Sequence, residues 1–305
     1  MKRYSNTIPM NLPTFLNKKV VTAGLILLVI CVGVFVFFFK QTEEYIPQVV
    51  NEPEEAITVR HEVIGTSVEG RTIDAYTYGD GETHLLFVGG IHGGYEWNSV
   101  VLAYEMMDHF EENPELIPQN VSVTIVPSAN PDGLFARVGI EGRITSLDVP
   151  AETISGEGRF NANDVDLNRN FDCKWQPESM WRGKVVSAGT AAFSEPEAQA
   201  IRDIVSATNP VVVVFWHSQA NAVYASECEE GILSGTRAAM NVYATAAEYP
   251  AVDVFDSYPV TGDAEGWLAS IGIPAITVEL ATHESTEWSR NLAGVIALIA
   301  SYKGN

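Results

Sequence analysis

Basic residues are scarce in this sequence: 18 Lys and Arg stand against 39 Asp and Glu, which gives a formal net charge of −21 at pH 7. Five of the basic residues and none of the acidic ones lie within residues 1–40, so residues 41–305 carry a formal charge of −26. A domain with this charge repels nucleic acid and anionic lipid surfaces. We therefore expect no nucleic-acid partner, and an acidic surface that serves either solubility or the attraction of cationic substrates.

Cysteine is also scarce, with three residues in the chain. Cys31 lies in an apolar run and follows Ile30, where a lipoprotein would have a small residue, so we expect it to face lipid or pack between helices. Cys173 and Cys228 remain, and an oxidising compartment would allow a disulfide between them. Their spacing alone does not decide whether they pair. Internal repeats and long low-complexity segments are absent as well, which favours one large domain.

One long apolar run is present near the N-terminus. Residues 20–39 read VVTAGLILLVICVGVFVFFF and contain no charge. A helix of that length, at a rise of about 1.5 Å per residue, spans a hydrocarbon core of about 30 Å. Basic residues precede the run and acidic residues follow it, which predicts a cytoplasmic N-terminus and an extracytoplasmic remainder. A cleaved signal peptide is the alternative, although the run is long for one and no small-x-small cleavage site follows.

These features divide the chain into four segments. We expect a basic cytoplasmic tail at residues 1–19, a transmembrane anchor at 20–39, an acidic stalk at 40–57 and a single globular domain at 58–305. The sequence thus predicts a single-pass protein of the cell membrane, attached through its N-terminal helix, with a monomeric ectodomain.

Hydrophobic periodicity in the globular part indicates the α/β class. Runs rich in Val, Ile, Thr and Phe predict strands at 71–78, 84–89, 121–127, 211–216 and 274–280. Segments of helical period predict helices at 97–112, 194–207, 235–248, 264–271 and 287–302. Apolar strands separated by helices are typical of a sheet covered on both faces. Ser194 looks like the N-cap of its helix, since proline follows in the first turn and Glu197 stands three residues after it.

Polar motifs follow several of the predicted strands, where α/β sheets place their ligand sites. A catalytic zinc ion needs three protein ligands and one open position, and His92, Glu96 and His217 could supply the ligands. The helical HExxH arrangement is absent, so the glycines between His92 and Glu96 would have to bring Glu96 round by loop geometry. For an isolated histidine such as His92, a hydrogen-bonded loop residue is the alternative.

The stretch DLNRNF at residues 166–171 places an amide beside a guanidinium. Asn168 and Arg169 together are suited to a bidentate grip on a carboxylate. Arg159 is a second cation in the same region. A polar loop with a structural arginine is the alternative interpretation of this stretch.

The order of the motifs resembles the zinc carboxypeptidase family, the metallocarboxypeptidases of the carboxypeptidase A kind. GGIHGGYEW, NPDG, DLNRNF, FSEPE, WHSQ and ITVEL follow one another along the chain, and the resemblance runs from about residue 58 to residue 302. It implies a mixed, mostly eight-stranded sheet sandwiched between helices. It also implies one zinc ion per chain and a peptide substrate with a free C-terminal carboxylate.

The resemblance assigns the metal ligands and the base. It implies that His92, Glu96 and His217 bind zinc, and that Glu279 is the general base that takes a proton from the attacking water and hands it to the leaving amine. One feature departs from the family pattern: three residues separate His92 from Glu96, where the family usually has two. This makes Glu96 the least secure of the three ligands.

The resemblance also assigns residues that would bind substrate. Arg159 would polarise the scissile carbonyl group and stabilise the oxyanion. Asn168 and Arg169 would hold the terminal carboxylate. Tyr258 lies nine residues before Trp267, as the mobile tyrosine of the family does before its tryptophan, so it would close over the substrate.

The segment before Trp267 would form the base of the pocket for the C-terminal side chain. Glu265 falls at that position and Asp263 lies nearby, so a substrate amine would be favoured by charge pairing. This predicts C-terminal Lys, Arg or a diamino acid of cell-wall peptides. In the alternative interpretation, Asp263 caps the following helix and Glu265 points to solvent.

The function implied by the resemblance is that of a membrane-anchored, extracytoplasmic metallocarboxypeptidase acting on environmental or cell-wall peptides. Residues 41–57 are too few to fold as an inhibitory segment, so we expect the protein to be made in active form. Two alternatives remain open: an N-acyl amino acid amidohydrolase on the same scaffold, and a non-catalytic ectodomain that binds peptides or the cell wall.

Overall fold

The computed structural model describes residues 28–32, 34–35, 59–151 and 156–304, and the chain divides into two compact units, Met1–Glu55 and Ala56–Asn305. In the first unit, residues 28–32 and 34–35 are helical. The rest of the expected anchor, the tail and the stalk lie outside the described residues. Among the residues that are described, none belongs to a helix with the length and apolar character needed to cross a bilayer. The membrane anchor therefore stays a prediction.

A mixed eight-stranded sheet forms the centre of the second unit, as expected from the resemblance. Its strands run in the order β1-β2-β4-β3-β7-β10-β8-β9. Strands β3, β4, β7 and β10 form its parallel centre, while β1 and β2 pair antiparallel with their neighbours, and β8 pairs antiparallel with β10 and parallel with β9. The strand bounds are β1 Val59–Thr66, β2 Thr72–Tyr78, β3 Thr83–Val88, β4 Val121–Val126, β7 Val212–Ser218, β8 Ala222–Ala225, β9 Ala251–Val252 and β10 Ala275–Leu280. A separate hairpin consists of β5 Glu178–Trp181 and β6 Lys184–Ser187.

Helices and hydrophobic cores cover both faces of the sheet. Successive residues of β3 alternate between two core clusters, with Leu85 and Phe87 in one and Leu86 and Val88 in the other. This is the alternation expected of a strand buried on both faces. The helices of the described second unit are α1 Trp97–Glu112, α2 Pro131–Val138, α3 Pro196–Thr208, α4 Ser234–Ala247, α5 Ala264–Ser270 and α6 Trp288–Ser301.

The five predicted strands and five predicted helices are confirmed, each with ends within two residues of the predicted ones. The predicted cap of α3 was wrong. That helix begins at Pro196, and the Ser194 hydroxyl instead accepts from Asn170 Nδ2 and donates to Glu195. Its bonds tie the DLNRNF segment to the start of α3. The stretch NPDG begins helix α2, where Asn130 accepts a hydrogen bond from Gly133 N.

Cys173 and Cys228 form a disulfide, with their Cα atoms 6.2 Å apart. The bond joins the loop after DLNRNF to the loop after β8. It settles the pairing that the sequence left open.

Candidate active site

Three neighbouring parallel strands bring the metal-binding motifs together. Strand β7 lies between β3 and β10 in the sheet. His217, in β7, pairs in register with Glu279 in β10, so the two side chains project from the same face. His92 lies in the segment that follows β3. The carboxyl ends of these strands thus gather His92, His217 and Glu279 at one edge of the sheet.

A turn of 3-10 helix, not a loop, positions Glu96. Residues Gly93–Glu96 form this turn directly after His92 and lead into α1. Glu96 is the fourth residue after His92, which places both side chains on one side of the turn, and His92 Nδ1 lies 2.9 Å from Glu96 Oε1. Gly93 has a φ of +45°, and a Cβ there would lie 2.6 Å from the Gly158 carbonyl oxygen. The extra residue relative to the family spacing is therefore absorbed by a tightly packed glycine turn.

The three candidate ligands converge. One ligand atom from each of His92, Glu96 and His217 lies within 4.8 Å of the others. The two Nδ1 atoms are 3.2 Å apart, and His217 Nδ1 is 3.0 Å from Glu96 Oε2. All three residues are buried. Two imidazole nitrogens and a carboxylate that face one point are the donor set of a catalytic zinc ion, so the residues present fit that metal.

The outer nitrogens of both histidines face carboxylates. His92 Nε2 lies 3.3 Å from Asp166 Oδ1, and His217 Nε2 lies 3.2 Å from Glu265 Oε1. A carboxylate at Nε2 keeps the proton on that nitrogen and leaves the Nδ1 lone pair for a metal ion. The sequence analysis did not predict that Asp166 would face His92. The only signal available was an acidic residue at the first position of DLNRNF.

Charges of alternating sign surround the candidate metal position. Burial would raise the pKa of Glu96, but the charges of His92 and His217 outweigh it and hold that pKa below the usual value. Burial would also raise the pKa of Asp166, but the positive charge of the Arg159 guanidinium outweighs burial and holds that pKa well below its usual value. Arg159 Nη2 donates to Asp166 Oδ2 at 2.9 Å, while Arg159 Nη1 lies 3.8 Å from Glu96 Oε1. Both carboxylates are therefore ionised, and Glu96 is in place for binding a metal cation.

Glu279 differs from the other carboxylates of the site. Burial and the charge of Glu96 raise the pKa of Glu279 to about 8. Its Oε2 atom is buried and makes no hydrogen bond. A cation held by the neighbouring ligands would lower this pKa again by attraction. A carboxyl group with a free oxygen and a pKa near neutrality is suited to proton transfer.

A cavity of about 650 Å³ opens beside these residues. All the residues that the sequence predicted for the site line it: His92, Glu96, Arg159, Asn168, Arg169, His217, Tyr258, Asp263, Glu265 and Glu279. The structure thus brings the predicted set together, while the role of each residue stays a prediction.

Arg169 lines this cavity with its guanidinium side chain. It is buried, and its Nε makes no hydrogen bond. Its Cζ lies 6.0 Å from the Tyr258 ring. Asn168 Oδ1 accepts from the backbone N–H of Ala264, which joins the DLNRNF segment to the start of α5. The arrangement presents a fixed cation with an unused N–H, as a receptor for a carboxylate requires.

The two acidic residues of the predicted pocket base have different surroundings. Asp263 accepts from Gly266 N at 2.7 Å and caps α5, as the alternative interpretation held. Burial and the charge of Glu265 raise the pKa of Asp263 to about 6. Glu265 is only 3% exposed, so the alternative that it points to solvent was wrong. Besides His217, its Oε1 accepts from the Thr277 hydroxyl at 2.9 Å, and both acidic residues line the cavity.

Comparison with known proteins agrees with this geometry. A sequence profile of the zinc carboxypeptidase family matches residues 43–290. The chain is 30% identical over 195 residues to murein peptide amidase A of Escherichia coli, which covers 59% of this chain and 71% of the relative. It is 24% identical over 183 residues to gamma-D-glutamyl-L-diamino acid endopeptidase 1 of Lysinibacillus sphaericus. This alignment covers 53% of this chain and 46% of the relative. The chain therefore spans less than half the length of that relative.

Solved structures share the fold. The murein-tripeptide amidase of Escherichia coli O157 has a TM-score of 0.55 at 25% identity, covering 80% of this chain and 93% of the other. Carboxypeptidase A of Helicoverpa armigera has a TM-score of 0.60 at 20% identity, covering 81% of this chain and 69% of the other. Because the family profile matches well over half of its length, this chain belongs to the zinc carboxypeptidase family.

Proposed function

We propose that this protein is a zinc-dependent peptidase that removes a C-terminal residue from peptides and prefers basic or diamino-acid residues at that position. One observation carries the proposal. Two imidazole Nδ1 atoms and the Glu96 carboxylate converge beside Glu279, in the cavity that Arg169 also lines.

The chemistry follows from the residues around this point. His92, Glu96 and His217 would hold the zinc ion, which when bound supplies Lewis-acid chemistry that polarises a carbonyl group and makes water more acidic. Glu279 accepts the proton of the attacking water and passes it to the leaving amine. Its free Oε2 and raised pKa suit both transfers.

Two arginines orient the peptide. Arg169, with Asn168 beside it, binds the terminal carboxylate and so selects the last peptide bond of the chain. Arg159 is held by Asp166 near Glu96, where its positive charge stabilises the negative charge that develops on the scissile carbonyl oxygen. Both guanidinium groups are buried, so solvent weakens their fields little.

The acidic end of the cavity supports the preference for an amine. Asp263 and Glu265 lie there with no arginine or lysine of the described chain within salt-bridge distance. An amine of the substrate's C-terminal side chain would supply the missing charge. The names of the relatives, a gamma-D-glutamyl-L-diamino acid endopeptidase and murein peptide amidases, also point to peptides of the cell wall.

We also propose that the protein is anchored in the cell membrane with this site outside the cytoplasm. Support comes from the uncharged residues 20–39 and from the basic residues that precede them. Protease added to intact spheroplasts should degrade the globular domain while a cytoplasmic marker survives. Protection of the domain until the membrane is lysed would contradict this orientation.

A panel of peptides tests the proposed substrate class. Full-length zinc-loaded protein is incubated with peptides that differ only in their C-terminal residue: Lys, Leu or diaminopimelate. We expect release of Lys or diaminopimelate at least about tenfold faster than release of Leu, because one charge pair in a buried pocket has about that effect. A preference for Leu would contradict the role of Asp263 and Glu265. Hydrolysis of N-acyl amino acids in place of peptides would favour the amidohydrolase alternative.

A further inference from the structure

Two arginines of the described chain stand out because they have no acidic partner. Arg169 and Arg182 lie farther than 4.0 Å from every carboxylate oxygen of the described residues, whereas each of the other eight described arginines makes such a contact. In a chain with 39 acidic residues, an arginine without an acidic neighbour is unusual. Both of these arginines line the same cavity. Arg169 has a proposed role there, and Arg182 has none.

The β5–β6 hairpin carries Arg182 to the cavity. Arg182 and Gly183 form the two-residue connection, with φ values of +48° and +75°. Positive φ at both positions is typical of the type I′ turn, whose twist matches that of the two strands. Such a turn is usually made by Asn-Gly, and arginine is uncommon in left-handed backbone. The turn therefore holds an unfavourable residue type at a defined place on the cavity rim.

Two aromatic rings hold the Arg182 side chain. Its Cζ lies 5.6 Å from the Tyr95 ring and 5.4 Å from the Trp181 ring. These rings also pack against each other, with centroids 5.3 Å apart and nearly perpendicular planes. A guanidinium group over an aromatic face keeps the N–H groups of its edge available. Arg182 is thus oriented by the rings and has no acidic partner among the residues that the structure describes.

The same two rings connect Arg182 to the reacting centre. Arg159 Cζ lies 4.6 Å from the Trp181 ring and 5.6 Å from the Tyr95 ring. Arg159 is buried beside Glu96, whereas Arg182 is exposed at the rim. A substrate whose scissile carbonyl group lies at Arg159 would therefore extend past this aromatic pair toward Arg182.

The part of the substrate that reaches Arg182 follows from the rest of the cavity. Arg169, Asp263 and Glu265 take up the C-terminal residue in the proposed function. Arg182 makes no hydrogen bond, ion pair or ring contact with these residues or with Tyr258, and the rings it contacts are those of Tyr95 and Trp181. Its ligand must then belong to the acyl side of the cleaved bond.

We propose that Arg182, held by Tyr95 and Trp181, forms a subsite for a carboxylate on the acyl side of the cleaved bond. The substrates it favours carry a free carboxylate next to that bond, as does a glutamyl residue that is linked through its side-chain carboxyl group. The inference rests on the proposed function, because that function places the acyl side of the substrate here.

Two peptides that differ in one group test the subsite. The first is alanyl-γ-D-glutamyl-diaminopimelate with the glutamyl α-carboxylate free, and the second carries a primary amide in place of that carboxylate. We expect the wild-type zinc-loaded protein to hydrolyse the first with a kcat/KM about two- to fivefold higher, the effect of one exposed charge pair. Arg182→Asn should abolish this preference by slowing only the first peptide, and Arg182→Lys should keep part of it.

The variants are chosen to separate charge from folding. Asparagine tolerates the left-handed backbone of the turn, so Arg182→Asn should fold. Lys184→Ala is the matched control, since it removes a positive charge from the same hairpin at an exposed position that does not line the cavity. It should leave the rates of both peptides unchanged. A wild-type protein that hydrolyses both peptides equally, or an Arg182→Asn variant that slows both equally, would overturn the inference.

Binding without turnover distinguishes this inference from the proposed function. Calorimetry with the Glu279→Gln variant measures the affinity for each peptide. Tighter binding of the peptide with the free carboxylate supports the subsite if the difference in affinity disappears in the double variant Glu279→Gln/Arg182→Asn. If the wild-type protein hydrolyses neither peptide but this difference is found, the proposed function fails and the subsite stands. Equal affinities for the two peptides overturn the subsite, whatever the hydrolysis assay shows.

Discussion

At the scale of single residues, environment gives chemically similar carboxylates different roles. Asp166 and Glu265 face the outer nitrogens of His92 and His217, and Glu96 faces the inner ones. Each therefore remains ionised. Glu279 lies among these negative charges without a hydrogen bond to its Oε2, and it is the carboxyl group whose pKa is raised most clearly, to about 8.

The raised pKa of Glu279 predicts a pH-dependent stability of the metal-free protein. The pKa of Glu279 is higher in the folded protein than in the unfolded chain, where it is 4.5. The protonated Glu279 side chain therefore contributes its full stability below pH 4.5, and this contribution is lost as the pH rises through about 8. Glu279→Gln cannot ionise, so it should become more stable relative to the wild type as the pH rises across this range. Urea unfolding of both proteins in EDTA measures the difference. A difference that is the same at all pH values would show that the Glu279 pKa is not raised.

Roles of single residues were predictable where a motif carried them. The motifs HGGYE, DLNRNF, WHSQ and ITVEL identified six residues that the structure places around the cavity: His92, Glu96, Asn168, Arg169, His217 and Glu279. The sequence analysis missed Asp166 as the partner of His92, and Glu265 as the partner of His217, because such contacts depend on the side-chain rotamers of residues far apart in the chain.

At the scale of elements, the 3-10 turn Gly93–Glu96 decides whether the metal ligands can meet. Its glycines approach neighbouring residues closely: a Cβ on Gly94 would lie 2.2 Å from Arg137 Cβ and 2.8 Å from the Gly133 carbonyl oxygen. The sequence suggested a loop here, because glycine has low helix propensity. Packing against α2 and the segment around Gly158 forms the helical turn instead.

Gly93→Ala should therefore disrupt both stability and metal binding. The added Cβ would lie 2.6 Å from the Gly158 carbonyl oxygen and would need a positive φ, which together predict a loss of about 3 to 5 kcal/mol in the free energy of unfolding. Gly142→Ala is the matched control, with a φ of +77° but open space around the new Cβ. This substitution should lower the free energy of unfolding by only about 1 to 2 kcal/mol and leave the affinity for zinc unchanged. Equal losses for the two variants, measured by urea unfolding and chelator competition, would show that close packing is not the cause.

Short elements escaped sequence reasoning for a related reason. Strands β8 and β9 have four and two residues, and β5 and β6 have four each, so periodicity has too few positions to appear. Strand β1 is an exposed edge strand and lacks an apolar face. Its place comes from pairing with β2, which only the tertiary structure supplies.

At the scale of the whole molecule, an acidic domain surrounds a cavity lined by two arginines that have no acidic partner in the described part of the chain. The formal charge of −26 on residues 41–305 favours cationic molecules at long range, and the cavity itself offers carboxylate receptors at short range. The sequence predicted the fold class and the sheet because apolar strands and helices alternate along it. It could not decide the Cys173–Cys228 disulfide, since pairing depends on how two distant loops meet.

The zinc content of the purified full-length protein tests the central claim that His92, Glu96 and His217 bind one metal ion. Emission spectrometry should find about one zinc per chain in the wild type and in His61→Ala, which removes an exposed histidine far from the cavity lining. His92→Ala and His217→Ala should each lose most of the zinc and the hydrolysis of peptides, while circular dichroism shows that they are folded. Full zinc content in both of these variants would contradict the account.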